Sequence, residues 1–211
     1  MEIYSKPIDI RKREPYPIHQ FALPSWAKND LKEILISEGE IKSRVEKLSE
    51  EICEFYHDKN PLVLPMLNGA VTFYNDLFRN LPIKYSINFI LASSYPVGTE
   101  SAGEPHIYLN DKIQKEISGR HILEVEDIFD TGETLNATNK LLWNFEPLSI
   151  ETIVLTDKPE RRKPHITIKP RWTGFIIPNK FVVGYGLDFN ERYRGIKHIA
   201  VLKPEIYETS R

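Results

Sequence analysis

His121-Ile122-Leu123-Glu124-Val125-Glu126-Asp127-Ile128 runs straight into Phe129-Asp130-Thr131-Gly132-Glu133-Thr134 and then into Leu135 to Trp143. The first eight residues have the short apolar character of a buried strand, and Thr134 to Trp143 reads as a helix. Between them Asp130, Thr131, Gly132 and Thr134 form a turn of small and polar residues. Such a turn at a helix N-terminus offers converging backbone N–H groups and hydroxyls that suit a phosphate. Glu126 and Asp127 are adjacent acids where a buried parallel strand normally carries aliphatic residues. Two readings are open. Asp130 and Thr131 are good helix caps, and Glu133 favours the helix dipole. Capping leaves the acid pair unexplained, whereas a phosphate-sugar site uses it to hold two sugar hydroxyls or a hydrated magnesium ion.

Working outward, Ile41, Val45, Leu48, Ile52 and Phe55 step by four, three, four and three, the apolar stripe of an amphipathic helix. Pro61 to Leu67 reads as a buried strand broken by Asn68-Gly69-Ala70, Val71 to Phe78 as a helix, and Lys84 to Ala92 as a second strand. Ser93 to His106 is a long polar loop. Ile150 to Thr156 is a further strand, followed by the cationic turn Asp157 to Lys163. Gly174–Ile177, Phe181–Tyr185 and His198–Leu202 are short apolar runs. Strands alternating with helices predict an α/β fold: an open, mostly parallel twisted sheet with helices on both faces, plus a small hood built from terminal segments. Ligands of such sheets bind at the carboxyl ends of the strands.

Residues 1–38 are expected to form an N-terminal extension to a main domain of residues 39–211. Pro7, Pro15, Pro17 and Pro24 interrupt regular structure there. A short helix is expected from Ser25, carrying Trp26, Leu31, Ile34 and Leu35, with the extension lying along the body or reaching a neighbouring subunit.

The 211 residues are 41% hydrophobic and 27% charged, a globular balance. A net charge of −2 provides no global basic field for nucleic acid or anionic membrane. The single cysteine, Cys53, excludes an internal disulfide and a cysteine zinc cluster. No apolar run approaches the roughly 18 residues that span a bilayer. The expectation is a soluble cytoplasmic protein without nucleic-acid or membrane partners.

At Glu126-Asp127-Ile128-Phe129-Asp130-Thr131-Gly132-Glu133-Thr134 the chain resembles the phosphoribosyltransferase family, whose signature is a strand ending in two acids followed by Asp-Thr-Gly-x-Thr. Ser94-Tyr95 with Gly98-Thr99-Glu100-Ser101 resembles the catalytic loop of the hypoxanthine-guanine branch. Asp157-Lys158-Pro159 and Pro178-x-Lys180-Phe181-Val182-Val183-Gly184-Tyr185-Gly186-Leu187-Asp188 are similar to its purine-recognition segments, and Arg194 fits the same pattern. The resemblance runs from about residue 40 to residue 203 and leaves residues 1–38 outside. Asn68, in Leu67-Asn68-Gly69, stands where many relatives carry a cation, and Glu133 where a basic or neutral residue is frequent.

The resemblance implies transfer of ribose 5-phosphate from phosphoribosyl pyrophosphate to N9 of hypoxanthine, and of guanine, by a magnesium-dependent homo-oligomer, dimer or tetramer. Phosphoribosyl pyrophosphate would be held by Glu126, Asp127, Asp130, Thr131, Gly132, Glu133, Thr134, Asn68, Gly69 and Arg194. Asp130 would be the acid/base at purine N7. Lys158, Phe181, Val182 and Asp188 would bind the purine, with Lys158 donating to O6. Glu126, Asp127 and Asp188 would be the magnesium ligands, and Ser94 and Tyr95 the lid. The competing classes are a nucleotide-binding regulator on the same fold and a xanthine-preferring enzyme.

Overall fold

The computed structural model describes residues 4–93 and 105–208. In chain order the N-terminal part contains β1 (Ile8–Asp9), α1 (Ser25–Lys28), β2 (Leu31–Ile36) and α2 (Glu38–Tyr56). The centre contains β3 (Leu62–Leu67), α3 (Val71–Arg79), β4 (Ser86–Ile87), β5 (Ile90–Ser93), β6 (His106–Tyr108) and α4 (Asp111–Ile117). The rest is β7 (His121–Phe129), α5 (Glu133–Trp143), β8 (Ser149–Asp157), β9 (Trp172–Ile176), β10 (Val182–Val183), β11 (Ile199–Leu202) and α6 (Pro204–Glu208).

The main sheet has the order β1-β9-β8-β7-β3-β5-β6, with β4 also on β3. All its pairings among the described residues are parallel except β5 with β6. Alternate residues of each strand face opposite layers. Val63, Leu123, Val125 and Ile153 pack with the α2 stripe Ile41, Val45, Leu48 and Ile52 and with Phe73 and Leu77 of α3. Leu62, Leu64, Met66, Ile122 and Val154 pack against Ile113 and Ile117 of α4 and Leu135 and Leu142 of α5. The α/β sheet covered on both faces is as expected. At the start of α2, Ser37 Oγ accepts from Glu40 N–H and the Glu40 carboxylate accepts from Ser37 N–H, a capping box that sets where the stripe begins.

The hood is a separate antiparallel sheet in the order β10-β11-β2. It corrects the expected N-terminal helix. Only Ser25–Lys28 is helical, and Leu31, Ile34 and Leu35 belong to β2, paired with β11. Leu31 and Ile34 enter the hood core while Leu35 and Ile36 enter the main core. A strand buried on both faces loses its alternation, so its apolar run imitates a helix. Trp26 is 57% exposed, although its ring lies 5.5 Å from that of Tyr193. The expected single strand over 84–92 is two strands. The break at Asn88-Phe89 lies opposite Leu64-Pro65, and Pro65 has no N–H to donate to a ladder. The segment before α2 packs on the body: β1 pairs with β9, and Tyr16 exchanges two backbone hydrogen bonds with Ile34.

Candidate active site

Several parallel strands deliver their carboxyl ends to one cavity of about 1050 Å³. Asn68 and Gly69 follow β3, Glu126 and Asp127 end the apolar part of β7, and Lys158 follows β8. Phe181 and Val182 close it from the hood, and Asp188 and Arg194 come from the loop after β10. Asp130 and Thr134 line it as well. Thr131, Gly132 and Glu133 are not on its wall. Ser94 and Tyr95 lie outside the described residues.

The Leu67–Asn68 peptide is cis. Gly69 approaches Asp127 so closely that a Cβ there would overlap Asp127 Oδ2, so the absence of a side chain lets this loop meet the acid pair. Asp127 is buried and Glu126 part-buried with its Oε2 out of solvent, and the two carboxylates interact. Burial and mutual repulsion raise the proton affinity of Glu126, and burial raises that of Asp127 despite the Ile128 N–H, which donates to Asp127 Oδ1 at 2.7 Å. Glu126 Oε2 is buried with no hydrogen-bond partner. A buried acceptor of this kind calls for a hydroxyl or a cation from a ligand.

The loop after β7 decides between the two readings of Asp130. Gly132, at φ 86°, is the N-cap of α5 and has no side chain to cap it; the Thr131 hydroxyl accepts from the Glu133 N–H at 3.4 Å, and Asp130 takes no part in the cap. Asp130 instead meets Lys158 Nζ at 3.3 Å and Arg161 Nε at 2.9 Å. The cap reading of Asp130 is therefore wrong, while Thr131 does cap the first turn. Glu133 turns away to His165 at 3.1 Å, which removes its apparent conflict with a phosphate. From behind, Arg162 donates to the carbonyls of Phe129 and Asp130 at 3.0 and 2.7 Å, and Lys163 N–H donates to the Thr131 carbonyl. Lys158 is buried, which lowers its proton affinity, while Asp130 pulls it back up. Asp188 pairs with Arg194 at 3.0 Å and accepts from Glu191 N–H, and Arg194 also donates to the Gly186 carbonyl.

Two residues of this region were not singled out from sequence. Arg161 sits in the cationic turn after β8, and only the fold shows that its guanidinium reaches Asp130. Glu124 is fully buried on β7, accepting from Asn139 Nδ2 at 3.0 Å and Thr152 Oγ1 at 2.9 Å. Burial pushes its carboxyl up to about 7. Its signal was an acid inside an apolar strand, two residues before Glu126.

A family model described as phosphoribosyl transferase domain matches residues 32–190. The hypoxanthine-guanine phosphoribosyltransferase of Streptococcus pneumoniae strain R6 is 39% identical over 180 residues, covering 85% of this chain and 98% of the relative. The chain belongs to the phosphoribosyltransferase family, in its hypoxanthine-guanine branch. The bifunctional protein TilS/HprT of Listeria innocua is 40% identical over 179 residues; the match covers 85% of this chain and only 27% of that longer protein. A crystal structure of a hypoxanthine phosphoribosyltransferase from Staphylococcus aureus superposes with a TM-score of 0.80 at 38% identity, covering 88% of this chain and 99% of that one. Within this family the signature strand and loop are β7, Asp130–Gly132 and the start of α5.

Proposed function

We propose that this phosphoribosyltransferase moves the 5-phosphoribosyl group of phosphoribosyl pyrophosphate to N9 of hypoxanthine and guanine, releasing pyrophosphate, and so salvages purines. The observation that carries this reading is the contact of Asp130 with Lys158 at the cavity wall, 3.3 Å apart. A carboxylate accepts from N–H and an ammonium donates to a carbonyl. N7–H and O6 are neighbours on one edge of a 6-oxopurine, so the pair reads both. A 6-aminopurine turns an N–H donor toward the Lys158 donor, and a buried donor left unpaired costs roughly 1–3 kcal/mol.

In the reaction N9 bonds to C1′ as the bond from C1′ to the pyrophosphate oxygen breaks. The purine gains positive charge, which it sheds by giving its N7 proton to Asp130. The sugar passes through an oxocarbenium-like state, and the nearby acids Glu126 and Asp127 stabilise it electrostatically while holding the ribose hydroxyls. The N-terminal turn of α5 takes the 5-phosphate through the backbone of Thr131, Gly132 and Glu133, at the edge of the cavity where the Thr134 side chain lines the wall. Asn68, Gly69 and Arg194 serve the pyrophosphate. Phe181 stacks on the base, beside Val182.

Among the described residues no group of three or more His, Cys, Asp and Glu converges on one point. Magnesium characteristically takes one or two carboxylates and completes its shell with water and substrate phosphates. Glu126, with its unpartnered buried Oε2, and Asp127 fit that demand, with Asp188 on the pyrophosphate side. When bound, the ion supplies positive charge against the leaving diphosphate. Homo-oligomer formation is supported by an exposed apolar face on and beside α3, where Val71, Phe78 and Phe89 are each at least 40% exposed. No helix among the described residues is long and apolar enough to cross a membrane; a cytoplasmic place is part of the proposal.

Steady-state kinetics on hypoxanthine, guanine, xanthine and adenine tests the proposal. Turnover of the first two, abolished by excess EDTA and restored by magnesium, is expected. Preferred turnover of adenine would refute the assignment of Lys158 and Asp130, preferred turnover of xanthine would refute the hypoxanthine-guanine choice, and no turnover of any base would refute the enzyme reading.

A further inference from the structure

The ring of Phe181 carries a second aromatic ring on its back. Tyr207, in α6, stacks on it with centroids 4.7 Å apart and planes 16° from parallel. Phe189 meets it at 90° and 5.6 Å. Phe181 is part-exposed and lines the cavity, whereas Tyr207 does not reach the cavity wall. One face of the Phe181 ring is therefore covered by protein, and the ring plane is set by a residue 26 positions further along the chain.

The same terminal segment also holds the Phe181 main chain. Leu202 N–H donates to the Phe181 carbonyl at 3.0 Å. The next residue, Lys203, donates its N–H to the Asp30 carbonyl at 2.9 Å and its Nζ to the Asn29 carbonyl at 2.6 Å, and Ile206 N–H donates back to the Lys203 carbonyl. On the other side of Phe181, Lys180 Nζ pairs with Glu33 of β2 at 2.6 Å. Backbone and side chain of this one residue are thus both anchored, through residues of β2, β11 and α6 that do not themselves line the cavity. Offset or parallel stacking between aromatic rings adds stabilisation beyond buried area, and a ring already held in its bound orientation loses less freedom when a flat ligand lands on it.

We propose that Tyr207 is a positioning residue for the purine: it backs Phe181 so that the base completes a three-ring stack, Tyr207–Phe181–purine. The inference rests on the reading that Phe181 stacks on the base. It requires the flat ring of Tyr207 and not its hydroxyl, and it acts on the base without acting on the sugar diphosphate.

The experiment compares Tyr207→Ala, Tyr207→Phe, Phe181→Ala and the double variant Tyr207→Ala/Phe181→Ala, measuring KM for hypoxanthine and for phosphoribosyl pyrophosphate separately. Tyr207→Ala should raise the hypoxanthine KM about 3- to 10-fold, the scale of one aromatic pair, and leave the other KM unchanged. Tyr207→Phe should behave as wild type. The double variant should bind hypoxanthine no worse than Phe181→Ala alone, because Tyr207 acts only through that ring. A wild-type hypoxanthine KM in Tyr207→Ala, equal rises in both KM values, or additive losses in the double variant would overturn the proposal while leaving the base site standing. An unchanged hypoxanthine KM in Phe181→Ala would instead refute the stacking reading itself, and the inference with it. Should Tyr207→Ala fail to fold, Tyr207→Leu keeps the bulk without the flat face; a raised hypoxanthine KM there supports the inference, and a wild-type value refutes it.

Discussion

Replacing Glu124 with glutamine isolates the cost of burying one carboxylate in the centre of the sheet. The side chain is fully buried on β7, and its two partners, the Asn139 amide and the Thr152 hydroxyl, both donate to Oε2 and carry no charge. Oε1 has no partner. Nothing replaces the water that would stabilise the anion, so the folded chain holds the proton up to about 7 against an ordinary value of 4.5. A carboxyl whose proton is bound more tightly when folded contributes stability that is fully present below its unfolded value and is lost as pH rises through its folded value. From about pH 4 to about pH 8 the wild type should therefore lose about 3 kcal/mol from this group alone. Glutamine matches the neutral acid in shape, accepts the same two hydrogen bonds and does not titrate. Urea unfolding of the ligand-free, magnesium-free proteins at both pH values gives the comparison. The variant should match the wild type within about 1 kcal/mol at the acid end and exceed it by about 3 kcal/mol at the alkaline end, since the remaining carboxylates are common to both. A stability difference independent of pH would refute the reasoning, because it would mean that Glu124 holds its proton no more tightly in the folded chain than in the unfolded one.

Asp130→Asn should lower kcat by about 10²–10⁴-fold while the melting temperature and the KM for phosphoribosyl pyrophosphate stay near wild type, because Asp130 does not cap α5. Normal turnover in rapid-quench kinetics would remove Asp130 from the proton path. Lys158→Ala should weaken hypoxanthine and guanine at least tenfold with little change toward phosphoribosyl pyrophosphate, since losing a charged hydrogen bond costs roughly 1.5–3 kcal/mol; a loss confined to the diphosphate would place Lys158 at the other end of the site. Gly69→Ala puts a methyl onto the Asp127 carboxylate and should cost about 10²-fold in kcat/KM for phosphoribosyl pyrophosphate through displacement of the acid pair. A wild-type kcat/KM there would show that Asp127 tolerates the displacement.

Much of the architecture was legible because its signals are local. The α2 stripe, the apolar β3, and the strand-turn-helix around Glu126 and Asp130 each depend on residues within a turn or two of one another. α4 was equally readable and was not assigned from sequence: Asn110 caps it through the Ile113 N–H, and Ile113 and Ile117 give it an apolar face. Sequence by itself determined α2, β3, α3, β7, α5 and β8 in their order, the unusual acids late in β7, and the small polar turn that follows them. It did not determine which distant segments became partners. β2 was mistaken for helix because its pairing with β11 and its burial on both faces are set by residues more than 150 positions away. That Asp130 faces Lys158 and Arg161 instead of capping α5, that Glu133 turns to His165, and that Tyr207 covers Phe181 were likewise decided by tertiary structure. The physical reason is range. Periodicity and capping are written into neighbouring residues, whereas hydrogen-bond partners, burial and the proton affinities that follow from them exist only once the chain has closed on itself.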